Sequence, residues 1–148
     1  MQNDSAIIYS DAGAALCERI RREWGEVAAR HMHLDDGFSI VALAGDEPVG
    51  LIGVVWRVLP PPLPPTEEAF IDIIEVRADF RRRGIAAQLI AMSVERARER
   101  GAYQLRAWSS EDKLEAIPMW RALGFGLCPA TIYPRSEEVK GYFVTHVL

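Results

Sequence analysis

The 148 residues, 49% of them hydrophobic, suffice for one compact domain with an ordinary core and leave no room for a second full domain, so residues 1–148 are expected to act as a unit. A formal net charge of -4 argues against nucleic acid as a partner, because a phosphate-tracking face needs a basic excess; any polyanion must be met by a local cluster. The opening Met1-Gln2-Asn3-Asp4-Ser5 lacks the basic and then apolar order of a signal peptide, and no apolar run approaches the ~18 residues of a membrane span, so a soluble cytoplasmic protein with no membrane partner is expected.

Ala6 to Tyr9 reads as a short strand, and after Ser10-Asp11, a cap pair, the apolar residues Leu16, Ile20, Trp24 and Val27 recur at helical spacing. The helix fades near His31, since Asp35-Asp36-Gly37 is turn chemistry. Strands Phe38 to Ala44 and Val49 to Leu59 follow, joined by the hairpin punctuation Gly45-Asp46-Glu47-Pro48. The run Pro60-Pro61-Pro62-Leu63-Pro64-Pro65 reads as a stiff loop, a wall beside a substrate entrance. Ala69 to Val76 is a nearly continuous apolar run suited to a central strand, so its two acids, Asp72 and Glu75, need explaining.

Ile85 to Arg100 reads as an amphipathic helix stopped by Gly101. Ala102 to Trp108 gives a fifth strand, Ser109 to Asp112 offers cap residues, and Ala116, Met119, Trp120 and Leu123 form a short helical stripe ended by Gly124, with a kink or late start at Pro118. Gly126 to Ile132 and Gly141 to Leu148 close the chain as two strands. Cys17 and Cys128 are too few and too separated for a disulfide framework or a zinc site and read as reduced, buried thiols. His31-Met32-His33 with Asp35 and Asp36 lacks a third fixed ligand and reads as a surface turn, so no metal is expected.

Arg81-Arg82-Arg83-Gly84-Ile85-Ala86 sits between a buried strand and a helix, so its amides belong to the unpaired first helical turn and point outward as donors. Three adjacent arginines, with Arg77 upstream, are unfavourable beside the positive end of a helix dipole unless an anion joins them. Gly84 permits close backbone approach and Ala86 keeps the turn open. Neither the dinucleotide string Gly-x-Gly-x-x-Gly nor a Gly-Lys-Ser/Thr phosphate loop occurs. On this segment alone a solvated basic turn with a structural glycine accounts for the pattern equally well.

The stretch Val76 to Leu89 resembles the signature of the GCN5-related N-acetyltransferase (GNAT) family, whose core is Gln or Arg, two residues, Gly, one residue, Gly or Ala; Arg81, Gly84 and Ala86 fill those places. A second family feature, an Ala in a short helix, an aromatic and then Gly-Phe, looks like Ala116, Trp120, Gly124 and Phe125. The resemblance covers about Ala69 to Phe125 in detail. It implies an α/β fold, a single domain with a mixed, mostly antiparallel sheet flanked by helices, the cofactor entering where the fourth and fifth strands part. It also implies acetyl-CoA as acyl donor: the backbone of Ile74, Glu75 and Val76 pairing with the pantetheine arm, the amides of Arg82, Arg83, Gly84, Ile85, Ala86 and Ala87 holding the pyrophosphate, and the arginines with Lys113 reaching outer phosphates.

The activity so implied is transfer of an acetyl group to a primary amine, a small molecule or a protein, by direct attack in a ternary complex. Asp72 and Glu75 are the candidate bases; strict alternation sends them to opposite faces, and Asp72 matches a position where some family members carry an acid. A structural ion pair of Asp72 with Arg57 or Arg106 explains the acid as well, and a chain of waters would also serve as base. The family's usual tyrosine, thought to protonate the departing thiolate, is Trp120 here, which excludes a tyrosine acid at that place and leaves Trp120 packing near the thioester, with Tyr103, Tyr133, Tyr142 or water as other proton sources. A non-catalytic acyl-CoA binding or sensing module is the alternative, and an arginine cluster for RNA or a phosphorylated partner a third. The acceptor's identity and the oligomeric state, monomer or homodimer, are left open.

Overall fold

Strand β1 (Ile7–Asp11) pairs antiparallel with β2 (Gly37–Ala44), and β2 with β3 (Glu47–Val58). The β2–β3 hairpin closes over Gly45 and Asp46, because Ala44 pairs with Glu47 and Gly45 takes the left-handed φ of 61° that the tight turn requires. The structure is a computed structural model that describes residues 6–62 and 65–148, so the expectations for Met1–Ser5 and for Leu63 and Pro64 of the proline run lie outside the described residues. Beyond that run come β4 (Glu67–Val76), helix α3 (Ile85–Arg100), β5 (Gln104–Ser110), helix α4 (Ile117–Ala122), β6 (Gly126–Ile132) and β7 (Val139–Val147). Strand neighbours run β1-β2-β3-β4-β5-β7-β6, which makes a mixed, mostly antiparallel seven-stranded sheet in an α/β fold, as expected.

Contacts group the chain into two compact units, one holding the residues up to Trp56 with Ile71–Ser93, the other Arg57–Phe70 with Val94–Leu148. In the first, Ile20 of helix α1 (Ala14–Trp24) joins Ala12, Ala28, Met32, Val41 and Leu51 in a buried cluster, with Leu16, Trp24 and Ile73 packed against it. The expected helix through Val27 is broken: Gly25 takes a φ of 100°, a second short helix α2 (Glu26–Arg30) starts in a new phase, and Val27 turns outward, 68% exposed. Ser10-Asp11 does not cap α1, because β1 runs through Asp11 and Gly13 precedes the helix.

In the second unit β5 and β6 both pair antiparallel with β7, and Leu105, Ala107, Tyr142 and Val144 are buried. Residues Glu111–Ala116 form a 3-10 turn and α4 starts late with Pro118 in its first turn, where the missing amide costs no hydrogen bond. Trp120 packs edge-on to Phe125 at 4.9 Å, and His146 donates or accepts at the Gly124 carbonyl, 2.9 Å away, in a structural contact. Both cysteines are free, as expected, but only Cys17 is half-buried; Cys128 stands exposed on β6, so the expectation of two buried thiols is corrected.

The buried acid of β4 is neither of those anticipated. The strand starts two residues before Ala69, and Glu68, 1% exposed, accepts from Arg106 Nε at 3.0 Å, Arg106 Nη2 at 2.6 Å and Gln104 Nε2 at 2.7 Å. Arg106 is thereby committed to Glu68, and Arg57 stacks 3.8 Å from the Phe70 ring centroid. Asp72 itself meets His33, 2.9 Å away. Removing one member of a buried, forked pair strands the other charge. Glu68→Ala is expected to lower the unfolding free energy by about 3 kcal/mol, read as a lower urea midpoint at unchanged slope. A loss below about 1 kcal/mol would show that the pair contributes no more than a surface ion pair.

Candidate functional site

Between β4 and α3 the chain makes a 3-10 turn, Ala78–Phe80, pinned by the burial of Phe80 and by the Arg77 amide, which donates to the Val49 carbonyl at 2.8 Å. The Arg77 guanidinium forks onto Asp79 at 2.7 and 2.9 Å and reaches Glu47 at 3.1 Å. These contacts raise Arg77 still further above the ordinary arginine range, the bond to Asp79 first among them. Arg81 Nε donates to the Val76 carbonyl at 3.1 Å, and Arg83 lies 4.6 Å from the Phe80 ring centroid.

The backbone then turns left-handed twice, at Arg82 with φ of 63° and at Gly84 with φ of 75°. For arginine that conformation costs about 1–2 kcal/mol, so neighbouring structure must hold it. Ile85, 2% exposed, anchors the start of α3, and on β3 only glycine fits beneath it: a Cβ at Gly50 would stand 2.9 Å from Ile85 Cγ2. The first helical amide to find an acceptor is that of Gln88, which donates to Gly84 at 3.0 Å. Among the described residues the amides of Arg82, Arg83, Gly84, Ile85, Ala86 and Ala87 have no acceptor. Consecutive free amides in a left-handed turn at a helix start form a concave donor surface for an anion. The exposed side chains of Arg81, Arg82 and Arg83 add positive charge there.

Upstream on β4, Ile74 and Val76 are half-buried, Glu75 is exposed and Asp72 is half-buried. Asp72 Oδ2 lies 2.9 Å from His33 Nε2, while Ile73 packs against the cluster that contains Met32, the residue before His33. Glu75, with Val76, Arg77, Ala78 and Arg81, lines a cavity of about 330 Å³ whose other walls are Glu23 and Trp24 from the end of α1. Asp72 thus meets His33 in the turn after α2, and Glu75 opens toward the end of α1. The cavity combines two carboxylates and an indole, which suit an ammonium, with two guanidiniums, which suit an anion.

Lys113 and Trp120 belong to the other unit. The Lys113 carbonyl accepts from the Tyr142 hydroxyl at 3.0 Å, so the Tyr142 proton is engaged. Trp120 is 3% exposed, and among the described residues its Nε1–H is a buried donor without an acceptor. Such a group costs about 1–3 kcal/mol until something accepts from it. Sequence reasoning missed His33, Glu23 and Trp24 as site residues. Trp24 was legible only as core, and nothing local ties His33 to an acid 39 residues away. Among the described residues no group of three or more metal-ligating side chains converges, and no helix is long and apolar enough to cross a membrane.

The family model described as the acetyltransferase (GNAT) family matches residues 6–125. An uncharacterized N-acetyltransferase of Methanocaldococcus jannaschii is 33% identical over 108 residues, which cover 73% of this chain and 43% of that protein, so the chain spans less than half of that relative's length. Arabidopsis thaliana NAA60, solved in complex with acetyl-CoA, superposes with a TM-score of 0.79 at 14% identity, covering 97% of this chain and 100% of that one. Arabidopsis thaliana Naa50, solved with the bisubstrate analogue CoA-Ac-MVNAL, gives 0.73 at 14% identity, with 97% and 100% covered. At those identities the two structures show the fold.

The Arg77–Asp79 contact makes one pH dependence testable. Arg77 holds the Asp79 carboxyl below the usual aspartate range, mainly by its hydrogen bond. A depressed folded value means that the contact's stabilisation is complete above the unfolded aspartate value of about 4, and is lost as pH falls through the lower folded value. The thermal midpoint of the native chain is therefore expected to exceed that of Asp79→Asn at neutral pH, and the two to converge only in that acid window. Convergence already above about pH 5 would remove Asp79 as the group responsible.

Proposed function

Because this chain belongs to the acetyltransferase (GNAT) family, we propose that it transfers the acetyl group of acetyl-CoA to a primary amine by direct attack in a ternary complex. The observation that carries this reading is the run of six amide donors from Arg82 to Ala87 that lack acceptors in a turn held left-handed. A pyrophosphate supplies what that turn lacks: acceptor oxygens for the amides and negative charge beside Arg81, Arg82 and Arg83 at the positive end of α3. The end of β4, Ile74 to Val76, leads directly into the turn and in this reading offers extended backbone to the pantetheine arm.

The thioester supplies an activated acyl carbon. The protein's own task is to present the acceptor nitrogen without its extra proton, since an alkylammonium has no lone pair with which to attack. In this reading Asp72 takes that proton; Oδ1 is the oxygen left over when Oδ2 faces His33. Glu75, opening into the cavity beside Glu23 and Trp24, is the second candidate. The nitrogen then bonds to the carbonyl carbon and gives up its second proton to water, the C–S bond breaks, and the thiolate takes a proton from water, because Trp120 has no hydroxyl to give. A peptide amino terminus, the acceptor type carried by the analogue bound to Naa50 of Arabidopsis thaliana, falls within the acceptor class together with lysine side chains and small amines. The two free cysteines accord with a cytoplasmic setting.

The indole in the place of the family's tyrosine favours a second reading, a non-catalytic acyl-CoA sensor. Release of free thiol from acetyl-CoA, followed with a panel of amines and peptides, separates the two. Catalysis predicts amine-dependent release, reduced about 10²–10⁴-fold in Asp72→Asn with coenzyme A affinity retained. Coenzyme A binding with no release on any amine would favour the sensor, and an unchanged Asp72→Asn would move the base to Glu75 or to water.

A further inference from the structure

Resting on the reading in which Asp72 takes the acceptor's proton, we propose that Asp72, His33 and Asp36 form a relay that carries this proton from β4 to solvent. The His33 ring lies between two carboxylates: Nε2 is 2.9 Å from Asp72 Oδ2, and Nδ1 is 3.0 Å from both oxygens of Asp36. Asp36 is the most exposed of the three at 65%, against 26% for Asp72 and 14% for His33, so the line ends in solvent. The ring stands on a rigid mount. The His33 amide donates to Ser39 Oγ at 2.8 Å and the same hydroxyl donates back to the His33 carbonyl at 2.9 Å, with Ser39 buried on β2. Asp36 is fixed in turn by its carbonyl, which accepts from the Trp56 amide at 2.9 Å.

A structural tie would need one carboxylate only. Neutral imidazole has a single N–H and one lone pair, whereas two carboxylates ask for two donors. One of the contacts therefore lacks a proton whenever the ring is neutral, and the missing proton is the one the reaction produces. In the cycle, the acceptor ammonium gives a proton to Asp72, the carboxyl group turns and delivers it to Nε2, the Nδ1 proton passes to Asp36, and Asp36 releases it to water. Exchange with water restores the starting tautomer, one proton leaving Nε2 and one being taken up at Nδ1, and no electrons are gained or lost. His31 does not compete, because its Nδ1 faces the Val27 carbonyl at 2.8 Å. Among the described residues, Asp36 from the turn after α2 and Asp72 from β4 are the only charged side chains hydrogen-bonded to the His33 ring.

His33 acts through Asp72, so it is a positioning and relay residue, and the test needs a readout that a structural tie would not move. His33→Gln keeps a side-chain donor but cannot accept a proton and pass it on. At low buffer concentration its kcat is expected to fall about 10- to 100-fold, the lower part of the range for proton transfer, with coenzyme A affinity unchanged. Added imidazole should restore much of that loss while leaving the native chain unaffected, and Asp36→Asn should show a smaller fall with the same rescue. A native kcat in His33→Gln, or a loss that imidazole does not restore, overturns the relay. Should His33→Gln lose coenzyme A binding, the exposed Asp36→Asn decides alone: a fall rescued by imidazole supports the relay, and a native kcat overturns it. Asp72→Asn separates the two levels. If it turns over like the native chain, the assignment of Asp72 as base fails and the relay with it; if it is slow while His33→Gln is not, only the relay fails.

Discussion

A helix cannot satisfy the amides of its own first turn, and the surroundings of α3 deepen that deficit. A loop in the ordinary right-handed or extended region would cap some of those donors. Two left-handed residues, Arg82 and Gly84, instead leave six in sequence without acceptors. The arrangement persists because the turn is fixed on both flanks: Phe80 is buried before it, Ile85 is seated over Gly50 after it, and Arg77 is clamped to Asp79 and Glu47. The strain at Arg82 is held by that frame. Four arginines close in sequence therefore do different work. Arg77 and Arg81 brace the turn through Asp79, Glu47 and the Val76 carbonyl, while Arg82 and Arg83 are exposed and, among the described residues, form no salt bridge or hydrogen bond with a carboxylate.

Legibility in the sequence followed the range of the interaction that fixes each feature. The bounds of α3, its stop at Gly101, the late start of α4 at Pro118 and the extent of β6 all stand where the sequence reading puts them, because periodicity and Gly or Pro punctuation act within a few residues. The break at Gly25 is also local, yet the apolar spacing runs across it to Val27, and period alone cannot tell a continuing helix from a restarted one. The run of amides without acceptors was readable around Arg81 to Ala86 since it too is local. The partners of the strand acids were not. Glu68 finds Arg106 and Asp72 finds His33 at separations of 38 and 39 residues, set by strand order and by the packing of α2 rather than by any short pattern.

Those two acids of one strand illustrate how surroundings divide structural from chemical work. Glu68 is closed off, and both of its oxygens are occupied by a guanidinium fork and an amide that hold their protons at all ordinary pH. Its contacts are those of a structural ion pair. Asp72 is open to solvent over part of its surface and touches the one kind of side chain that accepts and releases protons near neutral pH. An acid in a central strand is thus no sign of function by itself. Its partner decides.

The indole of Trp120 bears on the same division. At pH 7, stripping a proton from an alkylammonium with a pKa of about 10.4 costs about 4.6 kcal/mol, whereas leaving a thiol of pKa about 8.5 as thiolate costs about 2 kcal/mol. In the proposed reaction, water in place of the family's tyrosine leaves the smaller term to solvent, while the acids and the histidine around β4 are groups suited to the larger one. The balance depends on the acceptor, because an α-amine, with a pKa of about 7.7–8.0, needs only about 1 kcal/mol of such help. A half-buried acid tied to a histidine is thus of most use with a lysine-like or alkylamine acceptor, and a peptide amino terminus would place the least demand on it.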